Sequence, residues 1–199
     1  MLNIVKVAEP EDIKKFKKKH KPQNWDDFTP EIKSGIKKNI LENEQTVNGT
    51  QLCVYCERKI STENSHVEHV RPKALHKFPN LFDKYENMVV SCDLKNTCGN
   101  YKGSEYDEKF IHPIENDPAD FMTYNFATGK IVNKNDSLKE RVDYTCEILN
   151  LNGCRELIEA RKTILIQLNS SVDEGAGFID YVEEFYSLTE AYKSEVLNI

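Results

Sequence analysis

The sequence predicts an α+β fold, and three observations carry that expectation. Helix signals dominate the first fifty residues, short apolar runs sit between paired cysteines in the middle, and apolar residues recur at helical spacing toward the end. At 199 residues, 39% of them hydrophobic, the chain suits one domain with a decorated core or a small core with a helical extension. The organisation expected is a helical region over 1–50, a cysteine-bracketed core over 51–110, and a hairpin with helical extension over 111–199, packed with the core as one unit.

The elements follow in order. A short basic stretch runs from Asp12 to Lys19, and Lys14, Lys15, Lys17, Lys18, Lys19 and Lys21 form the most basic patch in the chain. Its simplest use is a solvated helix face; contact with a nucleic-acid backbone comes next. Thr29-Pro30-Glu31 places a capping residue before Pro at the first helical position. Asn48-Gly49 closes this region with a turn. In the core, a knuckle at Cys53–Cys56 precedes a strand ending near Val70. A loop broken by Pro72, Pro79 and Asn80 leads to a second strand over Asn87–Cys92, and then to a helix. Phe121–Phe126 and Lys130–Val132 form a hairpin through Thr128-Gly129. Asp136-Ser137 opens a helical region in which Leu157, Ile158, Ile164, Leu165 and Leu168 share a face. A last helix buries Phe178, Tyr181, Val182, Phe185, Leu188 and Tyr192.

Charge narrows the function. The formal charge is -6, which argues against a protein that coats nucleic acid by bulk electrostatics. From residue 165 onward Asp173, Glu174, Asp180, Glu183, Glu184, Glu190 and Glu195 face only Lys193, so the excess is confined to the carboxy-terminal segment. That segment suits a protein partner better than phosphate, and Glu183 and Glu184 are its candidate contacts. No stretch is apolar enough to span a bilayer and the first residues lack a secretory pattern, so a cytoplasmic location is expected. In a reducing compartment six cysteines are better used as metal thiolates than as disulfides. Cys53, Cys56, Cys92 and Cys98 have the paired spacing of a tetrahedral zinc site, leaving Cys146 and Cys154 as buried small side chains.

Between the pairs lie His66-Val67-Glu68-His69-Val70-Arg71-Pro72-Lys73 and Asn87, and after them Cys98-Gly99-Asn100-Tyr101-Lys102-Gly103. This order resembles the HNH nuclease core, also called the ββα-metal or His-Me finger, in its zinc-stapled form. With the amino-terminal helices and the Phe-x-x-Tyr…Gly-Lys-Ile segment, the chain is similar to the PtuB type of HNH protein, found with an ATPase in Septu and some retron anti-phage systems. The resemblance implies a zinc-stapled ββα-metal core with N-terminal helices and a C-terminal hairpin plus helical extension. It implies a metal-dependent endonuclease in which His69 is the general base and Asn87 holds the loop beside it. A single divalent ion, Mg2+ or Mn2+, would be bound by Glu68 and a helix residue, Asn100 or behind it Asn96. The substrate is nucleic acid, DNA before RNA, and the partner an ATPase of the PtuA type.

Two features depart from the commoner family pattern: Glu68 stands where Asp is usual, and Gly99 intervenes before Asn100. His66 shares the strand face of Glu68 and is a further possible metal ligand. Arg71, Lys73 and Lys102 can grip backbone phosphates. His76 and His112 have no supporting constellation. Two other functions remain open, a zinc-dependent binding module that does not cut and a free-standing HNH restriction or mobile-element nuclease. Plasmid cleavage separates the first from a nuclease, and a neighbouring ATPase gene separates the second from a defence complex.

Overall fold

The computed structural model describes residues 1–74, 77–173 and 182–199. Helix α1 (Glu11–His20) buries Ile13, and α2 (Pro30–Asn43) begins with Thr29 Oγ1 accepting from Ile32 N at 3.4 Å and Pro30 at its first turn. The turn expected at Asn48-Gly49 joins β1 (Thr46–Val47) to β2 (Thr50–Gln51). Both central residues have positive φ, 49° and 80°, the twist-matched hairpin turn that Asn-Gly favours.

The centre of the molecule is an antiparallel ribbon of β3 (Ser65–His69) and β4 (Met88–Cys92), with His66 opposite Ser91 and Glu68 opposite Val89. Every residue of β4 is buried, as a continuous apolar strand requires when both faces are covered. Its outer edge is closed by Gln45, whose amide accepts from Val90 N at 2.7 Å and donates to Val90 O at 2.9 Å and Leu52 O at 2.8 Å. A fully buried amide is tolerable there because its polar atoms find partners. The short helix α3 (Cys98–Lys102) follows the ribbon.

Next come β5 (Met122–Asn125) and β6 (Lys130–Asn133), which form the expected hairpin. Helices α4 (Lys139–Ile148) and α5 (Arg155–Asp173) pack beyond it. Leu157, Leu165 and Leu168 are buried on α5, and so is Arg161, which donates to the carbonyls of Leu151 at 3.0 Å and Gly129 at 3.3 Å. Cys146 and Cys154 are buried apart from the other cysteines, and burial pushes the Cys146 thiol up to about 12.

The final segment differs from a single helix. Phe178 and Tyr181 lie outside the described residues. Phe185 has φ 55°, and α6 runs only from Tyr186 to Tyr192. Phe185, Leu188 and Tyr192 are buried as expected. Glu183 and Glu184 fold back on the knuckle. Glu184 Oε1 accepts from Lys59 N at 2.7 Å, and Glu183 Oε2 pairs with Lys59 Nζ at 2.7 Å. Both carboxylates take part in an internal clasp, and Glu183 stays exposed within it. Among the described residues no helix is long and apolar enough to cross a membrane.

Candidate functional site

Two donor clusters use the β3–β4 ribbon. The first is sulfur. The Cys53–Cys56 knuckle closes with Glu57 N donating to Cys53 O at 3.0 Å. Cys92 arrives from the end of β4 and Cys98 from the start of α3, where φ is 57°. All four Sγ atoms lie within 4.8 Å of one another and all four residues are buried. The Cys56–Cys92 separation is 3.8 Å. A tetrahedron of thiolates about 2.3 Å from zinc has edges of about 3.8 Å, so the donor set fits such an ion. Burial raises the Cys53 thiol, but hydrogen bonds from Cys56, Cys92 and Cys98 outweigh it and hold that thiol well below its ordinary value. Cys98 is pushed well above, by burial first and then by the neighbouring cysteines. A bare cluster cannot hold four anions together; a cation removes that conflict.

The second cluster occupies the other positions of β3. Alternation sends His66 and Glu68 to one face and His69 to the other. His69 is 5% exposed, and its ring stands edge-on to Trp25 at 4.7 Å. Its Nε2 lies 2.9 Å from Phe82 O. A carbonyl only accepts, so Nε2 carries the proton and Nδ1 keeps its lone pair. Burial lowers the ring's pKa from 6.5 to about 4; the Phe82 hydrogen bond opposes this, and Lys73 and Lys102 add to it. Asn87 fastens the loop that presents Phe82. Its Nδ2 donates to Arg71 O at 2.8 Å, and its Oδ1 accepts from Arg71 N at 2.9 Å.

On the other face, Glu68 is buried. Lys102 Nζ lies 2.8 Å from Glu68 Oε1 and 3.3 Å from His69 O. Tyr55, from the sulfur knuckle, donates to Oε1 at 3.4 Å. The opposite oxygen, Oε2, is 4.0 Å from His66 Nε2. His66 Nδ1 lies 2.8 Å from Asp93 Oδ1, a residue the sequence did not single out.

The structure redistributes several expected roles. Lys102 was expected to grip phosphate, but its side chain is fully buried against Glu68, where an ammonium is tolerated because it is paired. Arg71 spends its guanidinium on Glu115 through two bonds of 2.5 and 2.9 Å, beside Tyr106 and the buried His112. Burial lowers His112 to about 4, against the pull of Glu115. Lys73 is exposed. Asn100 is exposed, and its amide reaches Leu94 O at 3.5 Å rather than Glu68. Asn96 is exposed, and its carbonyl accepts from Asn150 at 2.7 Å. His76 lies outside the described residues.

A closed thiol cluster that could hold a metal ion and an acid–imidazole face share one ribbon of a small α+β protein. No protein-family model matches the chain. Two curated proteins do. The chain is 33% identical over 147 residues to the protein named "Retron Vc95 putative HNH endonuclease" of Vibrio cholerae, covering 69% of each. It is 27% identical over 146 residues to the Septu protein PtuB of Bacillus thuringiensis, covering 72% of this chain but about half, 49%, of that protein. The chain belongs to the HNH endonuclease family that these retron and Septu proteins represent.

Proposed function

We propose that this chain is a metal-dependent endonuclease with a ββα-metal core, hydrolysing nucleic-acid phosphodiesters, DNA in preference to RNA. In this reading it is the effector of an anti-phage complex with an ATPase of the PtuA type, and zinc fills the cysteine cluster. The observation that carries the reading is His69, neutral and locked by Phe82 in the tautomer whose Nδ1 can accept a proton, directly after the buried carboxylate of Glu68.

The chemistry divides among the chain's own groups. His69 Nδ1 takes a proton from the attacking water as its oxygen bonds to phosphorus and the bond to the leaving 3′-oxygen breaks. Asn87 holds the loop whose carbonyl fixes that ring. Glu68 would hold a divalent cation, Mg2+ or Mn2+, which supplies neutralising charge for the phosphate and the departing oxygen. A groove of about 280 Å³ lined by Trp25, Lys33, Lys37, His66 and Val67 runs beside the strand, and Lys33 is placed there to meet a phosphate backbone.

The test is plasmid cleavage with Mn2+ or Mg2+ by the zinc-loaded chain and by His69→Gln. The glutamine amide can still donate to Phe82 O but cannot act as the base. We expect cleavage to fall by roughly two to four orders of magnitude with zinc content unchanged. Near wild-type cleavage by the variant would refute the role of His69. Absence of cleavage by the wild-type chain, both alone and with its ATPase partner, would favour the binding module.

A further inference from the structure

Two details on the Glu68 face concern a residue type that no helix ligand supplies. Gly99 lies inside α3 with no positive φ, so its backbone does not require glycine. Space does. A Cβ at this position would stand 2.8 Å from His66 Nε2 and 3.0 Å from Glu68 Oε2. The glycine therefore keeps open the gap onto which those two side chains converge. Its place is fixed by Ser91, opposite His66 in the ribbon, whose hydroxyl accepts from Gly99 N at 3.0 Å.

The second detail is the orientation of His66. Asp93 is acceptor-only when ionised, so the 2.8 Å contact puts the His66 proton on Nδ1 and leaves the Nε2 lone pair directed at the gap. A carboxylate behind an imidazole is the usual support of a histidine that ligates a metal, because it fixes the tautomer and raises the basicity of the free nitrogen. Two donors at about 2.1–2.2 Å from one ion can be at most about 4.3 Å apart, and the observed 4.0 Å is inside that limit.

We propose that His66, oriented by Asp93, is the second protein ligand of the divalent cation at Glu68, and that Gly99 provides the space for that cation in place of a ligand from the helix. The inference deepens the endonuclease reading and rests on its assignment of Glu68 to a cation. A site with one imidazole and one carboxylate, completed by water and substrate oxygens, favours Mn2+ over Mg2+. The Lys102 ammonium on the other oxygen of Glu68 keeps binding moderate by like-charge repulsion.

Binding of Mn2+ to the zinc-loaded full chain, followed by the loss of the free-ion electron paramagnetic resonance signal, tests this without reference to cleavage. His66→Ala and Gly99→Ala should each weaken Mn2+ by at least about tenfold, and Asp93→Asn by about tenfold. Asn100→Ala should leave it unchanged. Gly99→Ala, whose methyl must push back the ends of His66 and Glu68, should keep full zinc content and a cooperative melt, which separates lost space from lost fold. Mn2+ affinity unaffected by His66→Ala, equally reduced by Asn100→Ala, or absent in the wild-type chain would overturn the proposal. If the wild-type chain binds Mn2+ as described but cuts no nucleic acid, the endonuclease reading fails and this site stands.

Discussion

The sulfur cluster and the histidine–carboxylate face are built on the same two strands, yet they are opposites. One has four identical donors, all buried, with no direction left for an outside ligand. The other has mixed donors and a gap guarded by glycine, and side-chain exposures of 30% and 11% for His66 and Glu68 admit water. Closed sets staple a fold, while open sets leave positions for substrate. The two are also joined, because Tyr55 of the knuckle reaches Glu68, and Ser91 sits 3.9 Å from Cys53 Sγ while anchoring Gly99. The staple therefore sets the geometry of the open site.

The largest expected effect breaks the staple. The cysteines tie together segments some forty residues apart, beside the bond from Val54 N to Val90 O, so metal-binding free energy would add directly to folding free energy for this region. Cys53→Ser or Cys92→Ser should give insoluble chain or loss of the cooperative melt, by circular dichroism. A zinc-free variant with a wild-type melting curve would remove the distinction between the two clusters.

Acid should act next, through two buried imidazoles outside the His66–Glu68 face. His69 and His112 are held neutral with pKa values lowered to about 4. Both take up protons on unfolding, so their contribution is full above about 6.5 and is lost as pH falls from there toward 4. For His69 this amounts to something on the order of 3 kcal/mol. His69→Gln should flatten the fall in melting temperature between pH 7 and 5; an unchanged slope would place the acid sensitivity elsewhere. The same lowered value predicts that cleavage keeps its rate at pH 6 and declines only near pH 5 and below.

A smaller change sharpens the comparison. Replacing Lys102 with Met removes a buried ammonium from Glu68 and leaves the carboxylate in need of a cation. The chain should lose stability without divalent ions and regain part of it in Mn2+, with tighter Mn2+ binding than wild type. Equal destabilisation at every Mn2+ concentration would mean that Glu68 serves Lys102 alone.

The cysteine quartet was legible because two short spacings around a long insertion have few other uses. The strands, the Thr29-Pro30 helix start and the Thr128-Gly129 hairpin were legible from local turn and cap chemistry. The open site was legible only on one strand, where a period of two puts His66 beside Glu68. Across elements the pattern gave out. A helix turns about 100° per residue, so once Gly99 faces Glu68 its neighbour Asn100 is carried away to Leu94. Asp93 looked like any exposed acid after a cysteine, and the partners of Lys102 and Arg71 lie 34 and 44 residues away. The last helix failed for a related reason. Its apolar spacing continued through Phe185, but that residue stands at φ 55° with its N–H on Glu57 O at 3.0 Å, beside the Glu183 and Glu184 clasp on Lys59.

The central claim is that the closed cluster staples while Glu68 and His69, from the two faces of one strand, cut, and selective metal removal tests it most directly. The purified chain, with its partner if cleavage requires it, is treated briefly with EDTA, its zinc is measured by mass spectrometry, and plasmid cleavage is followed as Mn2+ is restored. The account predicts about one zinc per chain retained, cleavage lost with EDTA, and cleavage recovered with Mn2+ in the wild-type chain but not in His69→Gln. Cleavage that survives EDTA, or that tracks zinc content and ignores Mn2+, would contradict it.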